Sequence, residues 1–344
     1  MSTISVVGGG IAGLTLAATL DPTRWGVTVH EQAPDRPPAG TALAMWPDVM
    51  AALDSIGVGD AVRTSSLVLD RFEVADGTRR PLAVSTGQRA QLVMRPRLLE
   101  VLDAAVPASV ARSSGRADDP SALPGDLVVG ADGVHSAVRR TIFGGKPARK
   151  VGIVAFRGLS PTPTPGMVEL WQDGALCGLS PTVTGESNWY LACRATGAYA
   201  DVESLDDPTA HAAAVDLAQR FGPEAVAVVE ATPPALLLRQ DIWVAPPRWR
   251  LTSGRAVLIG DAAHAMCPNL GRGACESILD AVALGQALNT MPVPQALRHY
   301  QRTRAARTQG LRAASGLTMQ VSKLRRGAGV RDALLRMGPG RQRS

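Results

Sequence analysis

The stretch GDAAHAMCPNLGRG, residues 260–273, decides the fold of this 344-residue chain because two related glycine-rich stretches precede it. GGGIAG occupies residues 8–13 at the start of the sequence, and GADGVHSAVR occupies residues 130–139. Each stretch alone is a weak signal, since glycine-rich turns are common. Three of them in this order predict one extended ligand that contacts three separate loops.

The N-terminal stretch has the spacing G-x-G-x-x-G, formed by Gly8, Gly10 and Gly13. Apolar patterns around it predict a strand, a helix and a second strand, at residues 3–7, 11–20 and 26–30. In such a unit the first glycine permits a tight turn, the second lets the backbone approach a pyrophosphate, and the third lets helix and strand pack closely. Glu31 follows the second strand, where a ribose-binding carboxylate belongs. This unit predicts a dinucleotide site at a helix N-terminus.

The last stretch has a similar arrangement. Asp261 directly follows a strand predicted at residues 256–259, so its carboxylate can reach a ribose or ribityl hydroxyl. Pro268 and the following glycines precede a helix predicted at residues 274–288, whose free N–H groups and positive dipole end face the space in front of it. We interpret His264 as a side chain that braces this loop, and we assign it no catalytic role.

Together, the three stretches and Glu31 resemble the FAD-dependent aromatic hydroxylases of the para-hydroxybenzoate hydroxylase and salicylate hydroxylase type. The similarity covers nearly the whole chain and includes weaker matches at residues 40–47, 53, 57–60, 95–102, 155–158, 178–181, 189–190, 300, 304 and 307. It implies an α/β fold: a Rossmann-like FAD-binding domain of the glutathione-reductase type, an antiparallel β-sheet substrate domain and C-terminal helices.

The resemblance also implies which residues contact FAD. Glu31 is expected at the adenosine ribose, Arg95 at the central part of FAD, Asp261 at the ribityl–pyrophosphate region and the backbone of residues 270–274 at the isoalloxazine. Asp132 is linked in relatives to both FAD and NAD(P)H. The full predicted set is Gly8, Gly10, Ile11, Ala12, Gly13, Glu31, Gln32, Arg95, Asp132, Gly133, Asp261, Pro268, Gly271, Arg272, Gly273 and Ala274.

Several positions depart from the family pattern. Cys267 stands where a second proline is common, Arg272 where glutamine is common, and Leu279 where glutamate often precedes Asp280. Arg272 either places a cation near the flavin or points to solvent. Residues 106–127 are shorter than the strand meander of relatives, which could open one flank of the FAD domain and alter activity.

Composition is ordinary for a folded α/β protein, with 45% hydrophobic and 19% charged residues. No run approaches the roughly 18 apolar residues that span a bilayer. The N-terminus enters a strand without an export signal, so we expect a cytoplasmic protein and no membrane partner. The cysteines form no C-x-x-C pair and suggest neither a zinc site nor a disulfide framework: Cys177, Cys193, Cys267 and Cys275.

The net charge of +6 is concentrated near the C-terminus, where twelve Lys or Arg residues and a single acid, Asp332, follow Gln295. With only 4% aromatic residues, the chain lacks the stacking side chains of a nucleic-acid binder. We interpret these charges as solvated helix faces with a frayed end at residues 338–344. Attraction of an anionic pyridine nucleotide is the alternative.

The order of the stretches predicts a discontinuous organisation. Residues 1–70, 90–150 and 245–290 form the FAD-binding domain, residues 71–89 and 151–244 the substrate-binding sheet domain, and residues 291–344 the C-terminal helices and basic tail. Alternating polarity at residues 168–172 is typical of antiparallel strands, and residues 207–221 form a helix on that sheet. The cavity between sheet and flavin is the expected substrate site.

The sequence has no G-x-S-x-G, no H-E-x-x-H and no second dinucleotide fingerprint, so the chemistry belongs to the cofactor. We expect NADPH or NADH to reduce FAD, which forms a C4a-hydroperoxyflavin with dioxygen and hydroxylates an electron-rich aromatic small molecule. The candidate cavity residues are Pro268, Arg157 and Tyr190. Arg157 pairs with an acidic substrate or within a structural ion pair, and Tyr190 acts as a base or packs in the core.

Three other functions compete with aromatic hydroxylation. A flavin halogenase needs a W-x-W-x-I-P segment, which is absent. A Baeyer–Villiger or epoxidising monooxygenase on the same fold stays open because substrate electronics decide between these reactions. A non-catalytic FAD-binding protein is compatible with the shortened segment at residues 106–127. The sequence leaves a monomer and a homodimer equally possible.

Overall fold

The computed structural model describes residues 1–34, 41–324 and 328–337. Gly40 and residues 338–344, which carry two of the sequence predictions, lie outside this part. The strands are β1 Ser2–Val7, β2 Trp25–Glu31, β3 Ala42–Met45, β4 Ser66–Asp76, β5 Pro81–Met94, β6 Ala111–Ser114, β7 Leu127–Gly130, β8 Arg149–Ser160, β9 Val168–Gln172, β10 Ala175–Pro181, β11 Ser187–Arg194, β12 Leu238–Val244, β13 Thr252–Ser253 and β14 Ala256–Leu258.

Helices connect and cover these strands. They are α1 Ile11–Thr19, α2 Pro47–Ser55, α3 Gly59–Thr64, α4 Arg95–Ala104, α5 Ala137–Thr141, α6 Asp207–Ala218, α7 Pro223–Glu230, α8 Asp261–His264, α9 Gly273–Thr290, α10 Val293–Ser322 and α11 Ala328–Met337. Among the described residues, no helix combines the length and apolar content needed to cross a bilayer.

The first sheet has six strands in the order β13-β14-β7-β1-β2-β6, and all neighbours are parallel except β13 with β14. Its central strands are apolar on both faces, as expected for a parallel sheet covered by helices. The predicted strands at residues 3–7, 26–30 and 256–259 are confirmed within one or two residues. This sheet and the α1 helix form the predicted Rossmann-like unit.

The second sheet has eight strands in the order β12-β8-β11-β10-β9-β4-β5-β3 and is antiparallel except where β4 meets β9. The strand predicted at residues 168–172 is β9, and the helix predicted at residues 207–221 is α6 with a following 3₁₀ turn. One face packs on α6 and α7. The opposite face packs on Cys267 and on Met319 of α10. The α/β fold class with an antiparallel sheet and C-terminal helices is therefore confirmed.

The predicted domain boundaries remain a prediction. The long strands β4 and β5 run through the boundaries placed at residues 70/71 and 89/90, because both strands continue into the larger sheet beyond those points. The short strand β3 also pairs with β5 in that sheet. Periodicity alone could not separate the two ends of such a continuous strand.

The short segment at residues 106–127 supplies one edge strand, β6, and a polar loop. Arg255 donates hydrogen bonds to the carbonyl oxygens of Ser121, Leu123 and Gly125 at 2.6–2.8 Å. Asp126 accepts a hydrogen bond from the Thr3 backbone at 2.8 Å. The loop is thus fastened to the parallel sheet by polar contacts.

Candidate active site

The three glycine-rich stretches meet at one edge of the parallel sheet. Because β1, β7 and β14 are adjacent and parallel, their carboxyl ends lie side by side. Backbone hydrogen bonds connect the ends directly: Ala131 N–H donates to the Val7 carbonyl, and Ile259 N–H donates to the Gly130 carbonyl. Three stretches separated by more than a hundred residues therefore surround one cleft.

The N-terminal glycines differ in how much space the protein leaves for a side chain. A Cβ on Gly13 would lie 1.9 Å from the Gly8 carbonyl oxygen, and a Cβ on Gly8, whose φ is +109°, would lie 2.4 Å from the Ala131 oxygen. By contrast, a Cβ on Gly10 would meet no protein atom within 4 Å. Gly8 and Gly13 are therefore required by the fold, whereas Gly10, at the N-terminus of α1, borders open space that a phosphate can approach.

Glu31 lies beside this loop. Its carboxylate accepts hydrogen bonds from Gly9 N–H at 2.7 Å and Ala33 N–H at 2.9 Å, which fix its orientation. Gln32 follows it and is exposed. The expected contact of Glu31 with a ribose stays a prediction, and the carboxylate is held at the correct end of β2 for it.

The middle stretch contributes a residue whose role sequence reasoning missed. Arg139 is fully buried and donates from Nη1 to the Ala262 carbonyl at 2.7 Å and from Nη2 to the Val134 carbonyl at 2.5 Å. It therefore ties the middle stretch to the last one. Its only sequence signal was its place at the end of GADGVHSAVR.

Asp132 caps the short helix α5 with one oxygen and leaves the other without a partner. Its Oδ2 accepts hydrogen bonds from Ala137 N–H at 2.6 Å and Val138 N–H at 3.1 Å. Its Oδ1 is buried without a hydrogen-bond partner among the described residues. An orphaned buried acceptor carries an energetic penalty, which a ligand hydroxyl or amide would remove.

Asp261 opens onto the same cleft at the start of α8. Its side chain is accessible, yet surrounding protein atoms raise the pKa of its carboxyl above the usual 3.8, against the opposing charges of His264, Arg95 and Arg139. A carboxylate that opens onto a cleft with protein atoms around it is suited to accept hydrogen bonds from sugar hydroxyls. This placement agrees with the role expected of Asp261.

A buried ion-pair cluster lies behind the Asp261 loop and consists of His264, Glu276, Asp280 and Arg304. His264 Nε2 lies 2.7 Å from Asp280, and Arg304 contacts Asp280 at 2.7 Å and Glu276 at 2.5 Å. Asp280 also accepts a hydrogen bond from Gly260 N–H at 3.0 Å. The cluster thus fixes the turn that presents Asp261, and His264 braces the loop as interpreted from the sequence.

The structure corrects the interpretation of Arg272. Its side chain is 14% exposed and forms ion pairs with Glu276 and Asp48, each at 2.7 Å, so the solvent-facing alternative is wrong. Arg307 adds a second contact to Asp48 at 2.9 Å. Glu276, one helical turn away, and Asp48, 224 positions away, hold Arg272 at the N-terminus of α9, and its contact with the flavin stays a prediction.

The antiparallel sheet presents a polar row on the face that packs on Cys267. Register places Arg157, Tyr190, Gly178 and Glu169 next to one another on four adjacent strands. The Tyr190 ring lies over Gly178, where a Cβ would be 2.0 Å from a ring carbon, and the Tyr190 hydroxyl donates a hydrogen bond to Glu169. Trp171 Nε1 donates to the same carboxylate at 2.6 Å.

The position of this row relative to the cleft follows from its two ends. On one side Ile153 and Ala155 share a core cluster with Cys267, which precedes Pro268. On the other side Asn188 accepts a hydrogen bond from the Ala42 backbone at 2.9 Å, and Ala42 begins β3. The row therefore lies on the sheet face that packs on the loop before Pro268, and the substrate cavity expected in front of it stays a prediction.

Burial changes the acid–base properties of the row. It raises the pKa of Glu169 despite the hydrogen bonds from Tyr190 and Trp171, and with the Glu169 charge it raises the pKa of Tyr190 well above 10. It lowers the pKa of Arg157, which has no ion pair among the described residues. Within residues 1–34, 41–324 and 328–337, the structural ion pair considered for Arg157 is therefore absent, and its pairing with an acidic substrate stays a prediction. Sequence reasoning gave Glu169 no role, and its only signal was its place as a polar residue in the alternating strand at residues 168–172.

The residues at the cleft fit FAD. Glycine backbone at the α1 N-terminus suits a pyrophosphate, Asp132 Oδ1 and Asp261 supply acceptors for hydroxyls, and a Cβ on Gly271 or Gly273 would meet no protein atom within 4 Å. FAD placed along this edge would extend from the Gly10 loop to the Pro268–Gly273 loop. This fold and this site define an FAD-binding protein that combines a parallel, Rossmann-like sheet with an antiparallel sheet.

The chain belongs to the family of FAD-dependent aromatic hydroxylases. The FAD binding domain family matches residues 103–315. The aurachin C monooxygenase/isomerase of Stigmatella aurantiaca is 30% identical over 97% of this chain and 94% of its own length. The 3-amino-4-hydroxybenzoate 2-monooxygenase of Streptomyces cremeus is 31% identical over 89% of this chain and 84% of its own.

A solved structure gives the same result. Klebsiella pneumoniae HpxO, crystallised with FAD and uric acid, superposes with a TM-score of 0.84 at 25% identity, covering 98% of this chain and 94% of its own. The FAD-dependent urate hydroxylase of Klebsiella pneumoniae is 30% identical over 89% of this chain and 86% of its own. This protein is accordingly an FAD-dependent monooxygenase of the hydroxylase type, with FAD as its cofactor.

The ion-pair cluster makes stability depend on pH. Burial disfavours a charged His264, but the charge and hydrogen bond of Asp280 and the charge of Asp261 outweigh it and raise the pKa of His264 above 6.5. A raised folded-state pKa stabilises the fold fully below pH 6.5, and this contribution is lost as pH rises through the folded-state value. We expect the free energy of unfolding from urea titrations to fall on the alkaline side. His264→Gln should flatten that dependence, and an unchanged slope would contradict the assignment.

Proposed function

We propose that the enzyme takes its electrons from NADPH or NADH and hydroxylates an electron-rich aromatic small molecule that carries an acidic oxygen. FAD, when bound, accepts electrons from the nicotinamide and activates dioxygen for transfer to the ring. The single observation that carries the substrate class is Arg157, a guanidinium on the cavity face with no ion pair among the described residues. A substrate carboxylate is its natural counter-ion.

Tyr190 and Glu169 supply the second part of the proposal. The Tyr190 hydroxyl donates its proton to Glu169, so its oxygen lone pairs are available to accept a hydrogen bond from a substrate hydroxyl. As the substrate hydroxyl loses its proton to Tyr190, the Tyr190 proton moves to Glu169. Burial raises the pKa of Glu169, which makes it a better proton acceptor at neutral pH than an exposed carboxylate.

The remaining groups orient the reactants. Pro268 and the backbone of residues 270–274 border the flavin end of the cavity, and the apolar residues of the sheet face exclude water from it. The N-terminus of α9 would stabilise negative charge on the reduced flavin. We describe the substrate only by its chemical class, since the names of the relatives contain several different rings. Cytoplasmic location and a monomeric or dimeric state stay predictions.

Arg157→Met tests the proposal. With hydroxybenzoates as acidic substrates and the corresponding neutral phenols as comparison, the variant should raise KM about 30-fold for acids only, because a hydrogen bond to a charged group contributes about 1.5–3 kcal/mol. NAD(P)H consumption and hydroxylated product are measured together. Arg157→Lys, which keeps the charge, should recover part of the loss. An equal effect on neutral and acidic rings would refute the ion-pair role.

A further inference from the structure

Four cations lie near the loop that contains Cys267 and Pro268, close enough for their charges to act on Cys267 or on one another. They are Arg149, Arg194, Arg312 and Lys323. Within the described part of the chain, none of the four forms an ion pair with a carboxylate. We call these four residues the cationic rim.

Strand register places two members of the cationic rim on the cavity face of the sheet. Arg149 begins β8 and alternates with Ile153 on the same face, and Arg194 ends β11 opposite Ile153. Ile153 belongs to the core cluster that contains Cys267. Both guanidinium groups therefore stand at the sheet edge nearest the Pro268 loop.

Helix α10 brings the other two near Cys267: Arg312 lies within the helix and Lys323 at its end. Met319 packs in the same core cluster as Ile153 and Cys267, and the Ser322 hydroxyl accepts a hydrogen bond from Asn269 Nδ2 at 3.4 Å. Lys323 follows Ser322 directly and is 4% exposed. Helix α10 thus carries a buried amine to the loop that borders the flavin.

The electrostatics of this region indicate a missing negative charge. Burial and the neighbouring charge of Arg194 lower the pKa of Lys323, so its cationic form is disfavoured as the protein stands. Burial and the charge of Arg149 likewise lower the pKa of Arg312. The Asn269 side-chain oxygen, in the same loop, is buried without a partner among the described residues.

A neighbouring lysine, unlike the cationic rim, does have a carboxylate partner. Lys150, the residue after Arg149, points to the opposite face and pairs with Asp241. A like cation one position away is therefore neutralised by the protein itself. The cationic rim has no such carboxylate partner within the described part of the chain.

We propose that the cationic rim is a binding site for the anionic group, phosphate or carboxylate, of a ligand whose remainder enters the cavity past Cys267. Two ligands of the proposed function carry such a group: a nicotinamide dinucleotide through its phosphates, and an acidic aromatic substrate through its carboxylate. The inference rests on that function only for the ligand's identity. Its physical basis is that attraction to a bound anion offsets the desolvation penalty of a charged Lys323 and the mutual repulsion of the four cations.

Calorimetric titration of the FAD-loaded protein at low salt tests the site with separate probes. Inorganic pyrophosphate and 2′-phospho-ADP-ribose, which lacks the nicotinamide, represent the dinucleotide, and benzoate represents the acidic substrate. Lys323→Met and Arg149→Met should each weaken the preferred probe about tenfold, the usual effect of losing one charge-assisted contact, and salt should weaken binding in the parent protein. Arg298→Met, an exposed cation near the start of the same helix, is the matched control.

The outcomes separate the possibilities. Loss of phosphate-probe binding assigns the rim to the reductant, and loss of benzoate binding assigns it to the substrate. Equal binding by parent and both rim variants, with FAD content and melting temperature unchanged, overturns the proposal. Because these titrations need no turnover, they remain decisive even if no aromatic compound is hydroxylated, which would be a failure of the proposed function instead.

Discussion

Asp261→Ala is expected to yield protein that folds but purifies almost without FAD. The carboxylate stands at the end of β14, opens onto the cleft, and is held in place through Gly260 and Asp280. Removing it deletes an acceptor for sugar hydroxyls while keeping the hydrogen bonds and ion pairs of the sheet and of the ion-pair cluster. A hydrogen bond to a charged group contributes about 1.5–3 kcal/mol, so its loss should lower FAD affinity roughly 10–150-fold.

The measurement is the visible flavin spectrum of the purified variant, followed by FAD titration of the apoprotein. Asp118→Ala serves as the control because its carboxylate is 90% exposed and its ion pair with Arg116 is a loose one of 3.8 Å. Asp261→Asn separates charge from hydrogen-bonding shape, since the amide keeps one acceptor oxygen. A yellow Asp261→Ala protein with unchanged FAD affinity would mean that the cofactor is not held at this turn.

Arg304→Met is expected to destabilise the fold by about 3 kcal/mol, because it removes the cation shared by two fully buried carboxylates. Glu276 keeps Arg272, and Asp280 keeps His264, so the loss falls at the lower end of the range for a broken buried pair. The same change should weaken FAD binding, since Asp280 orients Gly260.

Urea denaturation of the apoprotein gives the stability change free of any contribution from bound FAD. Arg302→Met, two residues away on the exposed side of α10, should alter stability by less than about 0.5 kcal/mol. If both variants unfold at the same urea concentration as the parent, the ion-pair cluster does not stabilise the fold. A loss confined to Arg304→Met supports it.

Several elements could be predicted because their signals are local. The β1–Gly8–α1 unit, β9 and β14 each reveal themselves within a dozen residues through apolar periodicity and glycine spacing. The family resemblance then supplied the expectation of FAD, which the relatives confirm. Which of the named residues contact FAD stays a prediction.

Other features could not be predicted because they depend on residues far apart in the chain. Arg139 reaches the Ala262 carbonyl across 123 positions, and Arg272 reaches Asp48 across 224. From the sequence we expected Arg272 to face either the flavin or solvent. Its contact with Asp48, which α2 places beside it, was missed. No local pattern encodes such a neighbour.

By itself, the sequence determined the strand-to-glycine turns and their order, because tight turns and helix starts are set by the conformational freedom of single residues. Only the tertiary structure decided which side chains share a surface: the row of Arg157, Tyr190 and Glu169, and the cationic rim with Lys323. The physical reason is that burial and charge act through space. A side chain's partners and its pKa are therefore fixed only once distant strands pair and helices pack over them.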